Sequence, residues 1–501
     1  MAGGRPAERT WCSRTDASSR RPTTVLTKTS AAKGVAVAGL LAIAGGAALL
    51  LPGEASHAAP TASVDGTWRM DGYGTVLEIS HGRLRQYETT SVGCLDGDVA
   101  RRTAGGGVAA TYTSDDRTVH RVRLARGGQD PDRAWLHIDG SPGDRGLRRV
   151  DAPPRDCAAP GTGRRDPVAV FDVFWQTFAE NYPFFEAKGV DWQAVRDRHR
   201  PRVHGGMSDA QLFAVLRDMV RPLDDAHVHV TGPGGERFTQ SRPGTLVPDG
   251  ELDAKVVSFV ERRDLGGERL RQFAGGRIGY ADLPGDQGYL RISGFGGYTQ
   301  DPHNSYAANR AELDRTLDAV LTPERTARLR GLVIDLRING GGSDSLGLAI
   351  AERLTDRGYV AYRKQARNDP ADASAFTRAQ PIRVKPAPGP RYTGPIAVLT
   401  GGSTFSAGET FTQALIDRPG RTVRIGQPTQ GVFSDVMERA LPNGWRFGLP
   451  NEVFRTRDGG TFDGGGIPPH LPEPVFTDEE FDHDRDSAFD RAVAVLPIGR
   501  R

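Results

Sequence analysis

One serine stands where a strand pattern gives way to a helix pattern. Residues 396–399 are an apolar run that predicts a buried strand, glycines at 401 and 402 end it, and helical spacing follows Ser406. A side chain at such a junction lies beside unpaired N–H groups at the positive end of the helix, which favours a nucleophile whose attack creates an oxyanion. Ser406 and Glu409 also form an S-x-x-E capping box, so a purely structural role is the alternative.

Two histidines form the second group of residues with possible chemistry. The alternation after Ala226 predicts a strand that places His227 and His229 on one face. Three roles remain open: a general base, a hydrogen-bonded structural histidine, or a pair of metal ligands without an obvious third ligand nearby. A base within reach of Ser406 would favour the role of nucleophile over that of helix cap, because a serine nucleophile needs a base.

A glycine-rich turn is the third element that such chemistry would use. Residues 331–337 predict a buried strand, Gly340, Gly341 and Gly342 follow, and a helix begins near Ser345. This pattern can cradle a phosphate, but neither G-x-x-x-x-G-K-[ST] nor G-x-G-x-x-G is present. Exposed glycine amides can equally form an oxyanion hole.

Composition narrows the class of protein. The chain of 501 residues has a net charge of +3 and 25% charged residues, which excludes a strongly basic nucleic-acid binder and an acidic disordered tail. Residues 1–60 resemble an export signal and leader, with an uncleaved membrane anchor as the alternative. Cys94 and Cys157 follow that leader, so they are a candidate disulfide pair.

The order of patterns predicts three parts after the leader. Residues 61–158 show short alternating runs separated by turn residues, which predicts a small all-β domain, either a barrel or a curled sheet. Residues 165–235 carry apolar faces at helical spacing, and residues 270–480 alternate strands and helices, which predicts an α/β core. The polar stretch 236–276 has no predicted element, and residues 360–395 are predicted to be a flap.

Four stretches in the right order resemble the C-terminal processing, or tail-specific, serine peptidases, in the branch near the Tricorn core and the interphotoreceptor retinoid-binding repeats. The resemblance covers about 165–475 and implies a crotonase-like α/β core with a helical cap, and neither metal nor cofactor. The matching stretches are Leu223-Asp224-Asp225-Ala226-His227, Asp335-Leu336-Arg337-Ile338-Asn339-Gly340-Gly341-Gly342, Thr404-Phe405-Ser406-Ala407-Gly408-Glu409 and Gly464-Gly465-Gly466-Ile467-Pro468-Pro469.

The resemblance also implies roles for individual residues. Ser406 would be the nucleophile, His227 the base and Asp463 the acid, although that branch usually carries Glu at this last position. The oxyanion donors would be the N–H of Ala407 and one from Gly340 or Gly341. Many members use a catalytic lysine in a T-x-G-K stretch, but residues 429–432 read Thr-Gln-Gly-Val, which points to the Ser–His–acid branch.

The expected function is therefore an exported serine endopeptidase that cuts extended peptide or protein substrates. No nucleic-acid partner is expected, and a membrane contact is expected only through an uncleaved N-terminal segment. Two alternatives remain at this point: a non-catalytic small-ligand-binding module on the same fold, and a zinc hydrolase that uses His227 and His229.

Overall fold

The computed structural model describes residues 62–158 and 166–497. The predicted leader at 1–60 lies outside the described residues. Within the described ranges, no helix combines the length and the apolar character needed to cross a bilayer.

The first described segment forms a closed eight-stranded antiparallel barrel in which each strand pairs with the next and the last pairs with the first. Alternation explains the barrel: in its sixth strand Val122 and Leu124 point into the core, while Arg121 and Arg123 face solvent. The all-β prediction is confirmed, and the barrel is the closed form of the two that the sequence left open. The strands are β1 Gly66–Met70, β2 Thr75–Ser80, β3 Arg83–Thr90, β4 Gly93–Gly106, β5 Ala109–Ser114, β6 Val119–Ala125, β7 Asp130–Ile138 and β8 Arg145–Val150.

A disulfide joins Cys94 in β4 to Cys157 in the short helical turn Arg155–Ala158, with 5.1 Å between the two Cα atoms. The predicted pairing is therefore confirmed. The bond ties the segment that leaves the barrel back to the barrel wall.

Three helices follow, each with a side-chain cap at its start. Asp166 and Asp191 accept hydrogen bonds from the first turns of α1 and α2, and Ser208 and Gln211 form a reciprocal capping box at α3. Their apolar faces pack into one core with residues from the later chain. The helices are α1 Pro167–Asn181, α2 Trp192–His199 and α3 Asp209–Val220.

The rest of the chain is mixed α/β. Its strands are β9 His229–Thr231, β10 Arg237–Thr239, β11 Arg271–Phe273, β12 Ile278–Leu283, β13 Gln287–Ile292, β14 Gly331–Asp335, β15 Ile338–Asn339, β16 Tyr359–Ala366, β17 Gln380–Val384, β18 Ile396–Thr400, β19 Ser403–Thr404, β20 Thr422–Gly426, β21 Val436–Ala440, β22 Arg446–Pro450, β23 Glu452–Arg455 and β24 Leu471–Pro472. Its helices are α4 Gly250–Phe259, α5 Tyr306–Val320, α6 Pro323–Arg328, α7 Asp344–Glu352, α8 Ala407–Ala414, α9 Asp478–Asp482 and α10 Ser487–Val495.

The central sheet has the order β11-β12-β13-β14-β18-β20-β24 and is parallel from β13 onwards. Every residue of β14 and β18 is buried, because apolar layers cover both faces. The carboxyl ends of β14 and β18 are neighbours, so the glycine turn after β14 and the serine turn after β18 meet at one edge. A mixed α/β core is confirmed; the domain boundaries drawn from the sequence remain predictions.

Two polar stretches differ from the sequence-based expectation. Residues 360–395 are not a simple flap, since β16 and β17 pair within them and β16 also pairs with β23. The stretch 236–276 contains α4, which is capped by Asp249 and buries Val256 and Phe259. In β16 the buried residues include Lys364 as well as Ala361, Tyr362 and Ala366, so tertiary packing rather than an apolar pattern decides the local structure there.

A fully buried arginine fixes the exit of β14. Arg337 Nη2 lies 2.7 Å from Asp335 Oδ2, and its Nη1 lies 2.6 Å from Asp486 Oδ1 at the start of α10. Burial alone would raise the pKa of Asp335, but the charge and hydrogen bonds of Arg337 hold that pKa below its ordinary value. The C-terminal helix is thereby clamped to the strand that leads into the glycine turn.

Arg337→Met should lower the free energy of unfolding by about 3–5 kcal/mol, because it leaves two carboxylates buried without a cation. Denaturant unfolding at neutral pH measures the loss. Arg330→Met is the matched control, since Arg330 is exposed just before the same strand, and it should change stability by less than about 0.5 kcal/mol. Equal effects of the two variants would contradict the clamp.

Candidate active site

Ser406 has a backbone conformation that a helix cap does not require. Its φ of 54° and ψ of −118° lie outside the extended region usual for an N-cap residue, and such a conformation costs about 1–3 kcal/mol in a residue other than glycine. The turn is held in place because Phe405 N–H donates to Asn339 O at 3.0 Å. Helix α8 begins at the next residue, and the Ser406 side chain is partly exposed. Strain at an accessible serine indicates a functional turn.

Glu409 does more than cap this helix. Its carboxylate accepts the Ser406 N–H at 3.3 Å and the N–H groups of Gly431 and Val432 at 2.6 and 2.8 Å. Burial raises the pKa of Glu409 to about 8, although these hydrogen bonds oppose the shift. The capping-box acid therefore ties the serine turn to the loop at 431–432.

The glycine turn lies directly against the serine. A Cβ placed on Gly341, whose φ is +75°, would be 2.6 Å from Ser406 Cβ and 3.2 Å from Ala407 N. Only glycine fits that position without displacing the nucleophile turn. Gly341 is in turn fixed by Asn339, whose Oδ1 accepts the Gly341 N–H at 2.9 Å and whose Nδ2 donates to Ile292 O at 2.8 Å.

The predicted oxyanion donors are not equivalent in this arrangement. The Gly340 N–H donates to Ser293 O at 3.0 Å, and the Gly341 N–H is taken by Asn339. No acceptor among residues 62–158 and 166–497 takes the Ala407 N–H. Of the three predicted groups, Ala407 is the one whose N–H is free to face an oxyanion; either glycine would first have to break a hydrogen bond.

His227 lies beside the serine turn, but not on a strand. Val228 N–H donates to Asp225 O at 2.9 Å, so His227 sits in a turn, and β9 begins only at His229. The His227 ring meets the Phe405 ring edge-on with 5.0 Å between centroids, which places it next to the residue that precedes Ser406. Its Nδ1 is buried without a hydrogen-bond partner in the described chain. Burial lowers the pKa of His227, whereas the charges of Asp225 and Asp435 act to raise it.

His229 has separate surroundings. Its Nε2 lies 3.3 Å from Glu438 Oε2, and its ring covers Gly448, where an added Cβ would approach the His229 Cε1 to 2.3 Å. These contacts suit a histidine that packs the strand pair β9–β22. Among residues 62–158 and 166–497, no group of three or more His, Cys, Asp or Glu side chains is arranged to hold a metal ion.

Asp463 does not contact His227 in this structure. Thr461 Oγ1 donates to its Oδ2 at 2.5 Å, and Phe433 N–H donates to its Oδ1 at 3.4 Å. Burial raises the pKa of Asp463 to about 7, and the nearby charge of Asp225 adds to that shift. The structure therefore brings Ser406, Ala407, Gly341 and His227 to one place and leaves Asp463 bonded to Thr461 and Phe433.

Two other carboxylates act on the pKa of the histidine. Asp225 accepts the His227 N–H at 3.0 Å and the Tyr182 hydroxyl at 2.9 Å. Asp435, which sequence reasoning missed, accepts Ser141 Oγ of the barrel at 2.5 Å and lies 3.8 Å from Lys364 Nζ. Burial alone would raise the pKa of Asp435, but Lys364, Arg145 and His227 hold it below the ordinary value. The signal available in the sequence was the pair Ser434-Asp435, which interrupts an apolar run between Val432 and Met437.

Comparison with known proteins identifies two matching family models. Residues 286–472 match the model of peptidase family S41, and residues 165–221 match that of the Tricorn protease C1 domain. Comparison with curated proteins found no matching sequence.

Solved structures provide a likeness in fold. A putative peptidase from Parabacteroides merdae aligns with a TM-score of 0.53 and 22% identity over 66% of this chain and 97% of its own. Mature CPAF complexed with lactacystin aligns with a TM-score of 0.47 and 13% identity over 66% of this chain and 97% of its own. The Tricorn protease aligns with a TM-score of 0.40 and 14% identity over 83% of this chain and 46% of its own. On the two matches to family models, residues 286–472 are similar to peptidase family S41 and residues 165–221 to the Tricorn protease C1 domain, and the chain is a serine-type peptidase.

Proposed function

We propose that this chain is an exported endopeptidase that cuts extended peptide with Ser406 as the nucleophile. The observation that carries the proposal is the strained, partly exposed Ser406 turn at the start of α8, with Gly341 against one side and His227 beside Phe405. The active-site label fluorophosphonate, followed by mass spectrometry of the labelled peptide, tests it directly. It also tests the alternative of a non-catalytic binding module, which would take no label.

The proposed chemistry is acyl transfer. His227 takes the Ser406 hydroxyl proton as Ser406 Oγ attacks the scissile carbonyl carbon, and the Ala407 N–H binds the resulting oxyanion. His227 then gives the proton to the leaving amine as the C–N bond breaks. Water, deprotonated by the same imidazole, hydrolyses the acyl-enzyme and restores Ser406.

Asp463 is proposed as the acid that orients His227, although it must move to do so. Three observations support this. The His227 Nδ1 is buried and unpaired among the described residues, Asp463 is near enough to Asp225 for their charges to interact, and Asp463 precedes glycines at 464 and 466 with φ of +84° and +78°. Catalytic hydrogen bonds are often incomplete before substrate binds, so a substrate-induced shift of this loop is the proposed trigger.

Architecture and location are part of the same proposal. The central sheet is proposed to be crotonase-like and α1–α3 to be a cap over the peptide-binding side, as the family resemblance implies. Export is supported by the Cys94–Cys157 bond, since disulfides persist in oxidising compartments. A tail-specific substrate choice is not part of the proposal.

Ser406→Ala should abolish fluorophosphonate labelling and lower kcat for a cleaved peptide by at least about 10⁴-fold, because the nucleophile is removed. The free energy of unfolding should fall by only about 0.5–2 kcal/mol, the cost of losing a helix cap. Ser403→Ala is the matched control, as Ser403 lies in β19 of the same turn, and should keep both labelling and turnover. Label on Ser403, or turnover by folded Ser406→Ala, would contradict the assignment.

His227→Ala should be as damaging as Ser406→Ala, and the double variant little worse, because the two residues act as one unit. His229→Ala should be much milder. Since burial lowers the pKa of His227, the base stays neutral in mild acid, and the acid limb of kcat/KM should lie below about pH 6.5. If His229→Ala lowered turnover more than His227→Ala, or if the acid limb lay above that pH, His227 would not be the general base.

Asp463→Asn should preserve folding and lower kcat by roughly 10²–10⁴-fold, because the imidazole would be held in the wrong tautomer. Asp435→Asn is the comparison variant, since Asp435 acts on His227 through its charge in the present arrangement. It should change kcat less than Asp463→Asn. The opposite ranking in steady-state kinetics would make Asp435 the orienting acid.

A further inference from the structure

A cavity of about 670 Å³ lies between the barrel and the α/β core. We call it the barrel–core cavity. Barrel residues 116–119 and 138–141 line one side, and core residues 293–297 and 340–343 line the other. The barrel therefore supplies one wall of a space whose opposite wall contains the glycine turn.

The cavity adjoins the Ser406 turn through Gly341. Gly341 lines the cavity and also contacts Ser406, as described above. Gly294, the next lining residue, is packed so that an added Cβ would lie 3.4 Å from Gly341 O. A peptide whose scissile bond reaches Ser406 would thus continue along Gly341 and Gly294 into this space.

The barrel wall is held firmly against the core. Gly140 O accepts hydrogen bonds from Ser343 Oγ at 2.7 Å and from Ser345 N–H at 3.3 Å, and Ser141 donates to Asp435. Ser343 and Ser345 stand at the start of α7, directly after the glycine turn. These bonds fix the width of the cavity from both sides, as a specificity pocket requires.

Most charges in this cavity already have partners. Asp139 pairs with Arg121 at 2.8 Å, Asp116 accepts from Ser114 and Thr118, and Asp435 pairs with Ser141 and Lys364. Arg145, the cation on the barrel side, lies 3.9 Å from Asp435 and 4.2 Å above the Tyr73 ring. These groups leave no acidic side chain in the cavity free to take another cation.

Unlike these groups, Arg277 has a guanidinium without a partner among the described residues. It is exposed and lines the cavity, and among residues 62–158 and 166–497 its guanidinium makes neither an ion pair nor a hydrogen bond. Its Nη1 lies 3.9 Å from a Cβ position on Gly294, and its Nε lies 3.7 Å from one on Gly297. Two glycines without side chains leave the planar face and the donors of the guanidinium open to the cavity. Arg117, on the barrel rim, is a second cation there without an ion pair in the described chain.

We propose that the barrel–core cavity is a substrate subsite for a carboxylate and that Arg277 is the residue that recognises it. This inference rests on the proposed role of Ser406, because it assigns the cavity to the substrate of that nucleophile. The planar fork of arginine binds a carboxylate through two parallel hydrogen bonds. The carboxylate is either an Asp or Glu side chain of the peptide or its free C-terminal group, which share this chemistry.

The test measures binding to the inactive Ser406→Ala protein, so that it does not depend on turnover. The probes are fluorescent alanine-rich peptides that carry one Glu at successive positions, their Gln twins, and each peptide with a free or an amidated C-terminus. At least one carboxylate peptide should bind about 10- to 100-fold more tightly than its neutral twin, as expected for a charge-assisted pair. Dependence on Glu against Gln identifies a side chain, and dependence on the free against the amidated terminus identifies the C-terminal group.

Arg277→Gln in the same background should remove that preference, so that the carboxylate peptide binds no more tightly than its neutral twin. Arg330→Gln is the matched control, because Arg330 is exposed and lies at the opposite end of β14, and it should keep the preference. Equal binding of all twins, or a preference that survives Arg277→Gln, would overturn the proposal. Failure of fluorophosphonate to label Ser406 would instead overturn the proposed function, since labelling does not require the cavity.

Discussion

The buried guanidinium of Arg337 is the interaction on which the active-site edge depends. Two carboxylates surround it, one two residues back along the chain in Asp335 and the other at the start of the C-terminal helix in Asp486. Burying any one of these charges alone would be strongly unfavourable, so the three are stable only together. The chain that leaves β14 is therefore held in place at Arg337. Asn339 follows, and its amide fixes Gly341 against Ser406. The position of Ser406, the proposed nucleophile, thus depends on an ion cluster that includes Asp486 of the C-terminal helix.

The barrel imposes a second constraint. A peptidase core with one open edge can bind extended chains of many kinds, whereas a rigid wall limits what enters. The Gly140 carbonyl bonds to the start of α7, and Ser141 bonds to Asp435. Because Asp435 also acts on the charge of His227, the barrel wall and the catalytic edge share one carboxylate. The barrel is therefore better understood as part of the active-site architecture than as an appended module.

Local patterns were sufficient for much of this fold. The strand before Ser406, the glycine turn, the capped helices and the β domain follow from period and turn chemistry, which act over a few residues. What the sequence could not provide depends on distant partners. His227 lies in a turn because Asp225 caps it, the amides of Gly340 and Gly341 are engaged by groups from other segments, and Asp435 gains its surroundings from the barrel. The spacing of apolar residues along the chain carries no information about such polar contacts.

The charges around His227 explain why the acid is hard to assign from sequence alone. Asp463 is partly buried, and its pKa is raised to about 7, so the neutral form of its carboxyl group is accessible near neutral pH. A neutral carboxyl group cannot stabilise an imidazolium by charge. When His227 accepts the serine proton, however, the new positive charge would favour ionisation of any carboxyl group in contact with it. In the proposed triad, the proton on Asp463 and the proton on His227 would be coupled once the substrate-induced shift of the loop brings the two groups together. In the proposed mechanism, the raised pKa of Asp463 belongs to the resting enzyme, and the proposed triad forms only after a substrate binds.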